Sequence, residues 1–270
     1  MTSTFNARDA AVYERSMGRW SRRLAPGFLA FADISDAACV LDAGCGPGSL
    51  LFTLAQTPAH TRITGIDASE IYVAAAQAAN TDPRIEIHHG DACALPFADS
   101  RFDAALSQLV LQFVPEPAAM AAELVRVVRP GGVVAAAVWN SAGGMPHQRM
   151  FWDIAAMLDP AAAKLRAQTF SRPMTRRGDL AALFAAAGLE RVRESFASVW
   201  MDFADFADFW DPIAGGEGTL GKYVLGLSPE RTALLETHLR EAYESGAQEG
   251  RHSFACTALV CRGLVGSRAG

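Results

Sequence analysis

The sequence predicts an α/β fold: a mostly parallel sheet wound on both faces by helices. Three observations carry this. Short apolar runs alternate with segments of helical periodicity from residue 40 to residue 139. The first and fifth of those runs, VLDAG and GVVAAAVW, are almost wholly apolar, as strands buried on both faces are. Glycine or aspartate stands at the end of the first three, where open parallel sheets bind ligands.

The elements follow in order. VLDAG (40–44) reads as a buried strand and SLLFTLAQ (49–56) as the helix after it. RITGID (62–67) is a second strand, with helix SEIYVAAAQAAN (69–80) behind it. RIEIHHG (84–90) and RFDAALSQ (101–108) are the third and fourth strands, and PAAMAAELVRVV (117–128) is a helix. RPGG (129–132) stops that helix and leads into the fifth strand, GVVAAAVW (132–139). Beyond residue 140 the rhythm loosens. FWDIAAMLD (151–159), TRRGDLAALFAAAGL (175–189) and RTALLETHLREAYESG (231–246) read as helices, LERVRESFASVWM (189–201) and FACTALVCRG (254–263) as strands. The closing VGSRAG reads as frayed. The expected organisation is one domain over 1–270. It has a core at 38–140, an N-terminal segment at 1–37, and cap insertions at about 141–175 and 202–250.

Composition narrows the class. Half of the 270 residues are hydrophobic and 20% are charged, enough to bury a sizeable core. A formal net charge of -5 argues against general nucleic-acid binding. No apolar run approaches the roughly 20 residues of a membrane span, and the polar N-terminus lacks an apolar signal region. Five cysteines with no CxxC pair and no histidines at zinc spacing predict no metal site and a reduced, cytoplasmic protein.

The stretch VLDAGCGPGSL defines the candidate site. Gly44, Gly46 and Gly48 follow the first strand, where glycine lets a ligand approach the backbone and the next helix aims free N–H groups at the same place. Asp67 ends the second strand, placed to accept hydrogen bonds from both hydroxyls of a ribose. Asp91 ends the third, placed to accept from an exocyclic adenine amine. Singly each acid is as well read as a cap or turn residue. Three such features at three successive strand ends share one explanation, a nucleoside-containing ligand. A dinucleotide fingerprint would put its third glycine where Ser49 stands, and Asp42 suits a cationic ligand better than a pyrophosphate. Both points disfavour NAD(P).

VLDAGCGPGSL, ITGIDASE, GDACALPF, FDAALSQLVLQFV and RVVRPGGVV together resemble the successive motifs of class I S-adenosylmethionine-dependent methyltransferases. The branch they are most similar to is that of the ubiquinone/menaquinone-type and other small-molecule enzymes. The resemblance covers roughly residues 38 to 140. It implies a Rossmann-like, doubly wound, seven-stranded sheet with an antiparallel last strand, and S-adenosyl-L-methionine as cofactor. It also implies that Gly44, Cys45 and Gly46 lie along the methionine end and that Asp67, with Ala68 beside it, holds the ribose. On the same grounds Asp91 and Ala92 border adenine, and Gln108 makes a backbone contact. Asp42 is placed to accept, directly or through water, from an ammonium group.

Methyl transfer is an in-line displacement that needs mainly alignment in a dry site, and a base only if the acceptor must lose a proton. His147 is the first candidate base, against a solvated loop histidine. Tyr13 and Arg19 either close over the cofactor, Arg19 near its carboxylate, or sit on a solvated amphipathic helix. In MDFADFADFW (201–210), Phe203, Phe206, Phe209 and Trp210 share one helical face and Asp202, Asp205 and Asp208 another. The aromatic stripe is either helix packing or a wall of the acceptor site. The following IAGGEGTLGKY reads as a flexible run able to move as a lid. The expected function is methyl transfer to a small organic molecule. A protein that binds the cofactor without catalysis and, further off, an NAD(P) oxidoreductase are the alternatives.

Overall fold

The computed structural model describes residues 13–34, 37–245 and 250–267. The N-terminal stretch through Val12, the last residue of the predicted 231–246 helix and the end of VGSRAG lie outside them. After a short π-helical turn at Glu14–Gly18 comes α1 (Arg19–Ala32), then β1 (Cys39–Ala43), α2 (Ser49–Leu54), β2 (Arg62–Asp67), α3 (Glu70–Ala79), β3 (Ile85–His89) and β4 (Phe102–Gln108). A 3-10 turn at Leu111–Phe113 precedes α4 (Pro117–Val127) and β5 (Val128–Trp139). The second half runs α5 (Pro146–Leu158), α6 (Pro160–Phe170), α7 (Asp179–Ala186), β6 (Leu189–Phe203), α8 (Phe206–Ala214), α9 (Gly218–Val224), α10 (Pro229–Ser245) and β7 (His252–Val265).

The seven strands form one sheet in the order β3-β2-β1-β4-β5-β7-β6. β1 to β5 are parallel, and β7 pairs antiparallel with both β5 and β6. So β6 also runs with the others, and only β7 is reversed. Successive residues point to opposite faces, and the core divides accordingly. Val40, Ala104 and Ala135 fill one face with α1 and the cap, while Leu41, Ala105 and Val134 fill the other with α4 and α7. Strand order reverses between β1 and β4, so the crevice of the sheet opens there.

The cap is built on an extension of the sheet. Trp139, the last residue of β5, pairs with Ala258, while His252–Cys256 pair with β6 alone. This two-stranded ribbon projects past the C-terminal edge, and α5, α8 and α10 pack on it and on one another. Burying Phe151, Trp152, Phe209, Trp210 and Tyr243 holds these short helices in place.

Four sequence expectations change here. Phe203 is the last residue of β6 rather than part of a helix; Asp205 caps α8 by accepting from the Asp208 N–H at 2.8 Å, and the helical stripe begins at Phe206. The run IAGGEGTLGKY, expected to be irregular, ends α8, turns at 215–217 and forms most of α9, and it is closely packed there: a Cβ at Gly221 would overlap the backbone of Gly216. The predicted 175–189 helix contracts to Asp179–Ala186, entered through Gly178 at φ 94°. α5 begins at Pro146, five residues before the apolar periodicity starts, since proline suits the first helical turn.

Candidate functional site

The ends of β1, β2, β3 and β4 meet the glycine loop at the crevice. Gly44 and Cys45 both donate their backbone N–H to the carbonyl of Ile66, at 2.8 and 3.0 Å, which pins the loop against the end of β2. Asp67 completes the clamp: one carboxylate oxygen accepts from the Gly46 N–H and the other from the Ser69 N–H, both at 2.8 Å. Gly44, Gly46 and Gly48 take φ of 80°, 54° and 101°. The spaces they leave differ. A Cβ at Gly44 would overlap Val110 and one at Gly48 would overlap Phe52, whereas at Gly46 nothing lies within 4 Å. Gly46 is therefore where a ligand can reach the backbone. The helix behind the loop spans only Ser49–Leu54, so the anchoring rests on loop amides and Asp67 rather than on a long helix.

Asp42 sits beneath this loop, 1% exposed, and neither carboxylate oxygen has a hydrogen-bond partner. A buried group left unpaired costs about 1–3 kcal/mol, more when charged. Burial, and then the charge of Asp67, push its carboxyl up to about 8. Asp67 is itself raised by burial, with the Ser69 and Gly46 N–H groups pulling it back. Two neighbouring acids, one of them unsatisfied, form a place that a positively charged ligand would stabilise.

Asp91 is half-buried and accepts from the Cys93 N–H at 2.8 Å, and Ala92 packs on the core beside it. Ala68 is exposed, its carbonyl 3.1 Å from His89 Nε2. The buried Gln108 side chain donates to the Ser21 carbonyl at 2.9 Å, tying β4 to α1. Its backbone leads to Leu109, at φ 65°, a conformation costly for a branched side chain and the kind of strain that gathers at functional edges. No sequence signal marks Leu109. Tyr13 is half-buried, 5.2 Å from the ring of Tyr72 and 3.3 Å from the Ser21 hydroxyl.

The remaining candidates lie in the cap or, like Arg19 of α1, against it. Arg19 is paired with Asp208 at 2.9 Å, with its guanidinium over Trp20 and Phe203, so it is committed to α8 rather than left for a cofactor carboxylate. His147 is neither a solvated loop residue nor an accessible base. It is 7% exposed in the first turn of α5, with Nδ1 3.6 Å from Cys256 Sγ and its ring beside Phe203 and Phe254. Burial pushes its imidazole down to about 4. Phe206 and Trp210 stack at 6.2 Å and are both buried, Phe206 against Tyr243 and under Arg240. They are packing residues of the cap. Among the described residues no group of three or more His, Cys, Asp or Glu is placed to hold a metal ion, and no helix is long and apolar enough to cross a membrane.

Sheet order, reversed last strand and a loop closed by an acid from the next strand place the molecule among open-sheet α/β domains that hold a ligand at the switch point. The family profile described as "Methyltransferase domain" matches residues 41–136. The demethylmenaquinone methyltransferase of Bacillus licheniformis is 30% identical over 172 residues, which is 60% of this chain and 74% of that protein. An uncharacterised protein of Mycobacterium tuberculosis is 35% identical over 120 residues, and that match spans 44% of each chain. Among solved structures, the Haemonchus contortus phosphoethanolamine N-methyltransferase 2, in complex with phosphomonomethylethanolamine and S-adenosylhomocysteine, has a TM-score of 0.59 at 15% identity. It is matched over 96% of this chain and 57% of its own. The chain belongs to the class I S-adenosylmethionine-dependent methyltransferases. S-adenosylmethionine is the cofactor of that family.

Proposed function

We propose that the protein transfers a methyl group from S-adenosylmethionine to a small organic acceptor by in-line displacement. The observation that carries this is Asp42. A buried carboxylate with no partner, beside a second acid and under the open face of Gly46, is a poor arrangement by itself and a good one around a cationic ligand. When bound, the cofactor supplies a methyl group already made electrophilic by its sulfonium. The residues fit it as follows. Asp67 accepts from the ribose hydroxyls while keeping the Gly46 amide in place. Asp91 and Ala92 border the adenine. Gly44, Cys45 and Gly46 line the methionine end, with Asp42 serving its ammonium group directly or through water, and Gln108 contributes through its backbone. Tyr13 closes the ribose side from the segment just before the π-helical turn.

The cap insertions supply the acceptor side and keep it dry, which protects the alignment that such a transfer needs. Some relatives' names point the same way, toward small acceptors. They include a trans-aconitate 2-methyltransferase of Azoarcus and a 2-methyl-6-phytyl-1,4-hydroquinone methyltransferase of Synechocystis.

Two measurements on the purified chain test this. Calorimetry should show binding of S-adenosylmethionine and S-adenosylhomocysteine and negligible binding of NAD(H). Incubation with isotope-labelled cofactor and a host metabolite extract should give a labelled small molecule in excess over protein. Equal or tighter NAD(H) binding overturns the assignment. Cofactor binding with no product beyond one per chain makes the protein a binder rather than a catalyst.

A further inference from the structure

The two cap insertions enclose a cleft of about 400 Å³, within the range of small-ligand sites. Leu165, Gln168 and Thr169 of α6, Ser171, Arg172 and Pro173 of the turn after it, and Thr219 of α9 line it. Three hydroxyls, one amide and one cation are their polar side-chain groups, with no acid among the seven.

Arg172 is the unusual member. Nearly every other partly buried arginine has an acid: Arg19 has Asp208, Arg84 has Asp82, Arg126 has Glu123 and Asp99. Arg172 is half-buried and has no carboxylate within ion-pair reach among the described residues; its guanidinium lies over the ring of Phe113 at 5.1 Å. Burial alone lowers its affinity for a proton, with no acid acting the other way. Its neighbours add positive charge. Arg149 and Arg166 both lie over Phe170, two residues away, and only Arg166 is matched, by Asp153.

The cleft also adjoins the cofactor edge. Phe113 belongs to the turn that follows β4, and its N–H donates to the Val110 carbonyl at 2.8 Å. The Val110 side chain lies against Gly44. Through Arg172 and Phe113 the cleft is thus linked to the residues that pack on the glycine loop.

Resting on the methyltransferase reading above, we propose that this cleft receives the anionic end of the methyl acceptor, a carboxylate or phosphate oxyanion, with Arg172 as its counter-charge and the Thr169 and Thr219 hydroxyls as additional donors. An unpaired guanidinium beside hydroxyls suits a planar or tetrahedral oxyanion, which it can bind through two N–H groups at once. It would also disfavour neutral or cationic acceptors, which leave the half-buried cation unmatched.

The test uses the full chain saturated with S-adenosylhomocysteine at low ionic strength. Malonate, inorganic phosphate and the neutral analogue malonamide are titrated by calorimetry and by NMR. Wild type should bind at least one of the anions, weakened by added salt, and not malonamide. Whichever anion binds identifies the oxyanion class. Arg172→Gln should weaken it tenfold or more, Arg172→Lys should retain part of the affinity, and both should bind S-adenosylhomocysteine within twofold of wild type, which also shows that they are folded. Wild type binding neither anion, or Arg172→Gln binding as tightly as wild type, overturns the proposal. If S-adenosylhomocysteine itself fails to bind wild type, the methyltransferase reading falls and takes this proposal with it. If it binds and the anions do not, only the acceptor proposal falls.

Discussion

The cofactor half and the cap solve their electrostatics in opposite ways. Around the glycine loop acids outnumber cations: Asp42 has no partner and Asp67 is held only by backbone N–H groups. In the cap the acids are nearly all matched. Asp202 pairs with Arg23, Asp208 with Arg19, and Asp159 caps α6 and accepts from the Tyr223 hydroxyl at 3.2 Å. Among the described residues, the partly buried arginine that the cap leaves without an acid is Arg172. Packed interiors tolerate a lone polar group poorly. An unmatched charge of one sign on each side of the C-terminal edge therefore marks where two different ligands are expected, a cation-bearing cofactor and an anionic acceptor.

The largest expected effect tests how the cap is built. Trp210 is 4% exposed and stacked on Phe206. Trp210→Ala should cost about 3–5 kcal/mol of stability, the usual loss for a large buried aromatic. Trp210→Phe should recover most of it. Denaturant melts read this directly. A variant with an unchanged midpoint and lost turnover would return the stripe to the role of acceptor wall and make the cap a looser structure than its packing implies.

The next effect belongs to Asp42 and depends on pH. Its carboxyl stands near 8 in the ligand-free protein, against about 4 for an unperturbed aspartate. The folded state therefore holds this proton more tightly than the unfolded chain. The stability linked to it is present below about pH 4 and is lost as pH rises through 8. Asp42→Asn should stabilise the ligand-free protein at pH 8, by on the order of 1–3 kcal/mol, with little change at pH 4. Cofactor binding moves the other way. A cationic ligand favours the ionised acid, so affinity should rise between pH 6 and 8, by up to tenfold per unit, with release of a proton. Asp42→Asn should bind more weakly and lose that slope. Calorimetry in two buffers of different ionisation enthalpy counts the proton, and a wild type that releases none between pH 6 and 8 would remove Asp42 from the cofactor's surroundings.

The same contrast governs what the sequence made legible. In a parallel sheet the ends of the strands follow directly on apolar runs, so Gly44, Asp67 and Asp91, proposed to face the cofactor, could be located by counting from strand ends, and Gln108 through family resemblance. The reversed β7 and the overall strand count were legible through family resemblance. The cap was not, because its helices are defined by partners distant in sequence. α6 buries little beyond Ala162 and Thr169 and so shows no apolar period. His147 follows a turn-rich stretch, and only the fold carries it to Cys256, 109 positions away. Arg172 is one of three arginines in SRPMTRR, and nothing local distinguishes it from Arg176 or Arg177. Its place over Phe113 exists only once β4 and α6 are brought together.

The smallest expected effect concerns an ion pair that bridges the two regions. Arg19 stands at the start of α1, which reaches the cofactor edge through Tyr13 and Ser21, while Asp208 lies on α8 of the cap. Their side chains are 27% and 28% exposed, so solvent screens the pair, and a contribution of roughly 0.2–1 kcal/mol is the expectation for such a contact. Asp208 also accepts from the Ala204 N–H at 3.1 Å, and Arg19 lies over Trp20 and Phe203, so each single substitution removes more than the pair. A double-mutant cycle with Arg19→Ala and Asp208→Asn isolates the shared part. The coupling should fall in that range, with the affinity for S-adenosylhomocysteine unchanged within about 0.5 kcal/mol, the usual limit for separate sites. If Arg19→Ala weakens that ligand tenfold while Asp208→Asn leaves it alone, Arg19 exchanges Asp208 for the ligand's carboxylate. The bridge between the two regions would then be made by the cofactor.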